Sequence, residues 1–222
     1  MNRYTLFDLC GWHLTYLYQD RPNRGLMEAC RIGRRDLAEW MILKGAYNLN
    51  WGLRGACFGG SRKIAVWMIQ KGANDWDGGL SSACEGGHRD IAEWMILKGA
   101  RAWNDGLWGA CRAGHRGLAK WMIEKGATNW NGGLRGACQG GHRDIAEWMI
   151  EKGGRDLNSG LYKACQGKHR ELAELMIEKG VYDWSWGLWC ACRWRRRDLA
   201  IWMIKKGADP KSCYCPSHCH PI

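Results

Sequence analysis

No stretch of this 222-residue chain is long and apolar enough to cross a membrane, so no membrane span is expected. Residues 1–14 carry Arg3, but Asp8 interrupts their apolar stretch and they do not read as a secretory leader. Glycine is abundant at 31 residues, yet none of these glycines opens a phosphate loop, because no Gly-Lys-Ser/Thr stands at the required spacing. Nucleophile elbows, zinc-protease helices and dinucleotide fingerprints are missing too. These absences argue against an enzyme, and no cofactor is called for. Acidic side chains are also in short supply, with 22 Asp+Glu against 33 Lys+Arg and a formal charge of +11. The excess makes acidic proteins or nucleic acid plausible partners without selecting either, while a membrane is not expected as one.

What is present is a repeat. Lys-Gly recurs at Lys44-Gly45, Lys71-Gly72, Lys98-Gly99, Lys125-Gly126, Lys152-Gly153, Lys179-Gly180 and Lys206-Gly207, each pair 27 residues after the last with no insertion or deletion. A fixed period in this range marks a solenoid, whose units bury their apolar faces only by stacking on neighbours. The expected organisation is an N-terminal half-repeat cap over residues 1–22, seven repeats over 23–208 and a Cys/His-rich tail over 209–222. Such an array leaves no room for a separate catalytic domain.

Reading the repeats as columns separates architecture from recognition. Asn23, Asn50, Asp77, Asn104, Asn131, Asn158 and Ser185 are all good helix N-cap formers and are expected to open each first helix. That helix carries Leu134, Ala137 and Cys138 at helical spacing in the fifth unit. A second helix is predicted from about Arg143 to Lys152, with Gly153 as the left-handed residue that stops it. Trp40, Trp67, Trp94, Trp121, Trp148 and Trp202, with Leu175, read as its core column. Trp76, Trp103, Trp130 and Trp184, with Leu49 and Leu157, are expected in the inter-repeat turn.

Seven of the 12 cysteines also form a column, Cys30, Cys57, Cys84, Cys111, Cys138, Cys165 and Cys192. Stacked helices lie about 8–10 Å apart, beyond the roughly 7 Å that a disulfide tolerates between Cα atoms. These thiols are therefore expected to act as small core residues, a usage that favours a reducing, intracellular compartment in the cytoplasm or nucleus.

The string Leu134-x-x-Ala137-Cys138-x-x-Gly141-His142-x-x-Ile145-Ala146-x-x-Met149-Ile150-x-x-Gly153 resembles the helical part of an ankyrin repeat and recurs over nearly the whole chain. Two departures stand out. Gly-Gly-type pairs replace the Thr-Pro that usually opens the first helix, and the period is 27 where ankyrin repeats use about 33. The missing residues fall where ankyrin proteins project a β-hairpin. The resemblance thus implies an all-α, α-solenoid fold of stacked helix–turn–helix units with truncated or absent hairpins. The Trp-rich variant units are similar to ankyrin-like arrays encoded in many copies by large DNA viruses of protists.

Histidines 88, 115, 142 and 169 form a partial column, read as turn residues that hydrogen-bond the loop rather than as metal or acid–base groups. An arginine column, Arg35, Arg62, Arg89, Arg116, Arg143, Arg170 and Arg197, sits near helix N-termini, where a cation opposes the dipole. Pairing with Glu39, Glu93, Glu147 and Glu174 four residues on is the structural reading, and an anion-binding ladder is the alternative. Arg116, Arg195, Arg196 and Arg197 are its candidate anion-binding residues. Partner recognition is expected where columns vary on the first-helix face, at Arg54, Phe58, Trp108, Arg112, Arg135, Tyr162, Trp186, Trp189 and Arg193, since Trp, Tyr and Arg dominate binding hot spots. The tail offers Cys213, Cys215, Cys219 and His220 as weak metal ligands, in an order that fits no usual zinc spacing. The functional expectation is a non-catalytic scaffold for a protein partner. A polyanion-binding solenoid, nucleic acid being the alternative ligand, and a self-assembling structural protein are the rival readings.

Overall fold

The computed structural model describes residue 18, residues 20–181 and residues 184–210. Most of the expected N-terminal cap, and the tail candidates Cys213, Cys215, Cys219 and His220, lie outside the described residues. Among the described residues there are fourteen α-helices and no strand. The first helices of the repeats are α1 (Pro22–Arg31), α3 (Leu49–Phe58), α5 (Trp76–Gly86), α7 (Trp103–Ala113), α9 (Trp130–Gly140), α11 (Leu157–Gly167) and α13 (Trp184–Arg193). The second helices are α2 (Arg35–Leu43), α4 (Arg62–Gln70), α6 (Arg89–Leu97), α8 (Arg116–Glu124), α10 (Arg143–Glu151), α12 (Arg170–Glu178) and α14 (Arg197–Lys205). The chain divides into two compact units at Gly106 and Leu107, inside α7. In the first unit α1 packs on α3 and α3 on α5; in the second α9 packs on α11 and α11 on α13.

Burial follows the leucine, cysteine and methionine columns, whereas in the expected tryptophan core column only Trp67 and Trp121, with Leu175, are buried and Trp40, Trp94, Trp148 and Trp202 are half-buried. The first-helix leucines Leu26, Leu53, Leu80, Leu107, Leu134, Leu161 and Leu188 are each 0% exposed, and the second-helix methionines are buried beside them. Each such side chain stabilises the fold by about 1.5–3 kcal/mol relative to leaving it in water. The glycine before each leucine makes room for that methionine: a Cβ at Gly133 would lie 2.5 Å from Met149 Sδ. The seven column cysteines and Cys190 are buried, and burial pushes the thiols of Cys30, Cys57, Cys84, Cys111 and Cys138 up to about 12.

Second helices end as expected. In α6 the Gly99 amide donates to Ile96 O at 2.9 Å and the Ala100 amide to Met95 O at 3.0 Å, with Gly99 at φ +116°. This paired closure consumes carbonyls the helix end leaves open and turns the chain sharply. The same bonds recur at Gly153 and Gly154.

The N-termini of the first helices differ from expectation. They start two residues earlier, so Trp76, Trp103, Trp130 and Trp184 are first helical residues rather than turn residues. The side chains of Asn48, Asp75, Asn129 and Asp156 are the caps, accepting from the amides of Trp51, Gly78, Gly132 and Ser159. The column taken for caps does something else. Asn131 Oδ1 accepts the Arg155 amide at 2.7 Å and the Asp156 amide at 2.9 Å, both from the following turn. Asn23, Asn50 and Asp77 hold the amides of residues 47–48, 74–75 and 101–102 in the same way. Strand pairing would satisfy such amides in a hairpin. Here a single side-chain oxygen, from Asn23, Asn50, Asp77 or Asn131, does so in the turn that follows it.

Candidate functional site

The arginine column lies on the second-helix side, and six of its seven members, all but Arg197, have a partner among the described residues. Arg35, Arg89, Arg143 and Arg170 donate from Nε to Glu39, Glu93, Glu147 and Glu174 at 2.8–3.0 Å. Arg35, Arg62 and Arg116 also lie 4.9–5.0 Å from the ring centroids of Trp67, Trp94 and Trp148 in the next repeat. Lys71 Nζ approaches the Trp67 ring at 5.2 Å, so that indole meets a cation from each of two repeats. Each cation–ring contact is worth about 0.5–1 kcal/mol at an exposed site. These contacts engage every member of the column from Arg35 to Arg170. Arg116, a candidate anion ligand, additionally pairs with Asp144 at 3.3 Å.

The first-helix face carries the variable residues. Two of them have a structural duty that the columns did not reveal: Arg54 holds Asp75 at 2.7 Å and Arg135 approaches Asp156 at 3.6 Å, each clasping the capping carboxylate of the next repeat. Phe58 is half-buried, with the Arg31 guanidinium 5.9 Å from its ring. Arg112 lies 5.2 Å from the Trp108 ring.

The densest cluster forms where α11 meets α13. Trp186 and Trp189 stack at 4.9 Å between centroids with planes 16° apart, and Tyr162 stacks on them at 6.4 and 6.1 Å. Trp194 meets Tyr162 edge-on at 5.8 Å, and Arg193 lies 5.8 Å from the Trp194 ring. Trp186 and Trp189 remain 36% exposed. Lys163, which sequence columns did not flag, belongs here as well: its Nζ is 5.9 Å from the Tyr162 ring and 3.0 Å from Gln166 Oε1. Burial, with Arg135 and Arg112 nearby, holds its pKa below the usual lysine value. The signal for it was the small residues at Gly55, Ser82, Gly109 and Gly136 in the same column. Gln139 Oε1 and Trp194 Nε1 are buried polar atoms with no hydrogen-bond partner among the described residues.

The turns between first and second helices hold the histidines. His88, His142 and His169 place their imidazoles against Gly60, Gly114 and Gly141 of the preceding repeat, where a Cβ would come within 2.5 Å of Cε1. Packing on glycine, rather than the expected loop hydrogen bond, is what these rings provide. Arg196 takes the same column position in the last repeat, donating from Nε to Cys165 O at 3.0 Å and from a terminal nitrogen to Gln166 O at 3.4 Å. Arg195 and Arg197 are exposed beside it. No helix among the described residues is long and apolar enough to cross a membrane, and none of their His, Cys, Asp and Glu side chains gather in threes at metal-binding distance.

No protein-family description and no curated protein matches the sequence. Among solved structures the chain is similar to the crystal structure of the human ASB11 ankyrin repeat domain, at 22% identity over 71% of this chain and 84% of that one, with a TM-score of 0.44.

Proposed function

We propose that this chain is a non-catalytic repeat scaffold that binds a protein partner on the first-helix face. The observation that carries this reading is the half-exposed aromatic cluster of Tyr162, Trp186, Trp189 and Trp194 with Lys163 and Arg193 at its edge. Stacked tryptophans left 36% exposed on a folded surface are costly in water, and rigid aromatics flanked by cations are the usual anchors of protein interfaces. Trp108 and Arg112 supply a second anchor of the same chemistry on α7. Arg54 and Arg135 contribute less, because a partner would have to compete with Asp75 and Asp156 for them.

The test compares captured proteins. Wild-type chain and a Trp108→Ala/Tyr162→Ala/Trp189→Ala variant are used as baits, and the strongest wild-type-specific protein is then titrated in purified form. A loss of at least 10-fold in affinity is expected for the variant, since truncating a central aromatic typically costs about 2 kcal/mol or more. Identical capture and affinity by both baits would overturn the assignment of this face.

A further inference from the structure

One column breaks its own rule twice, at the same place. The residue ending each first-helix turn is Gly33, Gly60, Gly87, Gly114 and Gly141, all with φ between +75° and +90°. The next two members are Lys168 and Arg195, which keep left-handed backbones at φ +72° and +53°. L-residues rarely adopt that conformation, because Cβ crowds the following carbonyl oxygen. Glycine would be the unstrained choice at both positions, so each cation is held at a cost to folding. Side chains kept in such conformations concentrate at functional sites.

Lys168 and Arg195 line a single open depression of about 240 Å³ together with His169, Arg170, Arg196 and one carboxylate, Asp198. Arg196 forms part of its wall while donating to the carbonyls of Cys165 and Gln166, and Arg170 is engaged on one side by Glu174 at 2.8 Å. The side chains of Lys168 and Arg195 have no hydrogen bond or ion pair among the described residues, and both are exposed. The next-repeat histidine that fills the space over Gly114 and Gly141 is Arg196 at this turn, and its guanidinium is drawn to the Cys165 and Gln166 carbonyls.

We propose that this depression binds a single phosphate monoester group, with Lys168 and Arg195 as its cationic ligands, Arg196 holding the wall and Arg170, paired with Glu174, at the edge. Lys168 and Arg195 bring two side chains without partners among the described residues to a space whose lining contains one carboxylate, Asp198, while the charge of Arg170 is offset by Glu174. A nucleic-acid track is disfavoured because the arginine column in neighbouring repeats is already consumed by Glu and Trp partners. The site is separate from the aromatic face and stands whether or not that face binds protein.

The experiment follows backbone amide shifts of Lys168 and Arg195 in the ¹⁵N-labelled full chain at constant ionic strength. The probes are inorganic phosphate, an alanine-rich phosphoserine peptide, its unphosphorylated twin and a single-stranded DNA 20-mer. Saturable shifts with phosphate and phosphopeptide, and none with the unphosphorylated peptide, are expected. A peptide affinity at least 10-fold above that of inorganic phosphate would make the ligand protein-borne, and equal affinities would make it a free phosphate. Lys168→Gly/Arg195→Gly is expected to raise Tm and weaken phosphate binding at least 10-fold; Lys168→Met/Arg195→Met should weaken binding equally with no gain in Tm. The Trp108→Ala/Tyr162→Ala/Trp189→Ala variant should bind phosphate like wild type. Unchanged binding in the glycine variant, or tight DNA binding that falls steeply with salt, would overturn the proposal.

Discussion

At the scale of single residues, one side-chain oxygen holds two backbone amides of the following turn in the repeats of Asn23, Asn50, Asp77 and Asn131. Asn131 satisfies two amides of the following turn, so Asn131→Ala leaves both without a protein partner. A loss of about 1–3 kcal/mol is expected in urea unfolding, together with faster hydrogen exchange at Arg155 and Asp156. Asn131→Asp should retain most of the stability, because Asp77 already makes the same pair of bonds. The cysteine column behaves differently, since its thiols are held neutral by burial. Their folded pKa, about 12 against an ordinary 9.0, means that they add stability below pH 9 which is lost as pH rises towards about 12. Iodoacetamide at pH 8.5 is therefore expected to leave Cys30, Cys57, Cys84, Cys111 and Cys138 unlabelled in the native chain and to label them in urea, as read by peptide mass spectrometry. Labelling of native Cys111 at the denatured rate would contradict the buried placement.

At the scale of elements, the turn between the two helices of a repeat is designed jointly with the next repeat. Gly141 has φ +90° and carries the His169 imidazole directly over its Cα. Gly141→Lys is expected to cost about 2 kcal/mol or more, combining the left-handed penalty with the clash against the ring. Adding His169→Arg reproduces the Lys168 and Arg196 pairing and should remove the clash while leaving the backbone penalty. The double variant is then more stable than the sum of the singles by about 1 kcal/mol or more in a thermodynamic cycle, and strict additivity would refute the coupling. Columns of like residues showed that these positions matter, but not that position 141 and position 169 meet. That pairing joins residues one repeat and one position apart, and only stacking brings them together.

At the scale of the whole molecule, charge and local pairing pull in opposite directions. The chain carries +11 net, yet its arginines form ion pairs at 2.8–3.0 Å. Raising salt from 10 to 100 mM shortens the screening length from about 30 to about 10 Å. Pairs in direct contact lie well inside both lengths, and exposed ones are worth under about 1 kcal/mol each, whereas repulsion between cations on successive repeats acts across about 10 Å. Added NaCl is therefore expected to raise Tm over this range. A falling Tm would mean that the contact pairs dominate.

The sequence by itself determined the period, the helix pairs and the buried leucine and cysteine columns, because a small or apolar side chain repeated at one position in every unit serves the stack; the tryptophan column read as core is buried only at Trp67 and Trp121. It also marked Trp108, Tyr162, Trp186 and Trp189, since their variation stands out against an invariant frame. Helix starts were misread by two residues: both Asp75 and Asp77 are capping residue types, and composition does not say which one faces its own helix and which the next repeat. Tertiary structure alone decided that Arg54 and Arg135 are clasps, that Lys163 and Trp194 join the aromatic face, and that Lys168 and Arg195 share one depression. These groups lie 21 to 32 residues apart, and their meeting depends on the rotation and rise from one repeat to the next. Those quantities are set by side-chain packing between helices and are not written in any single unit.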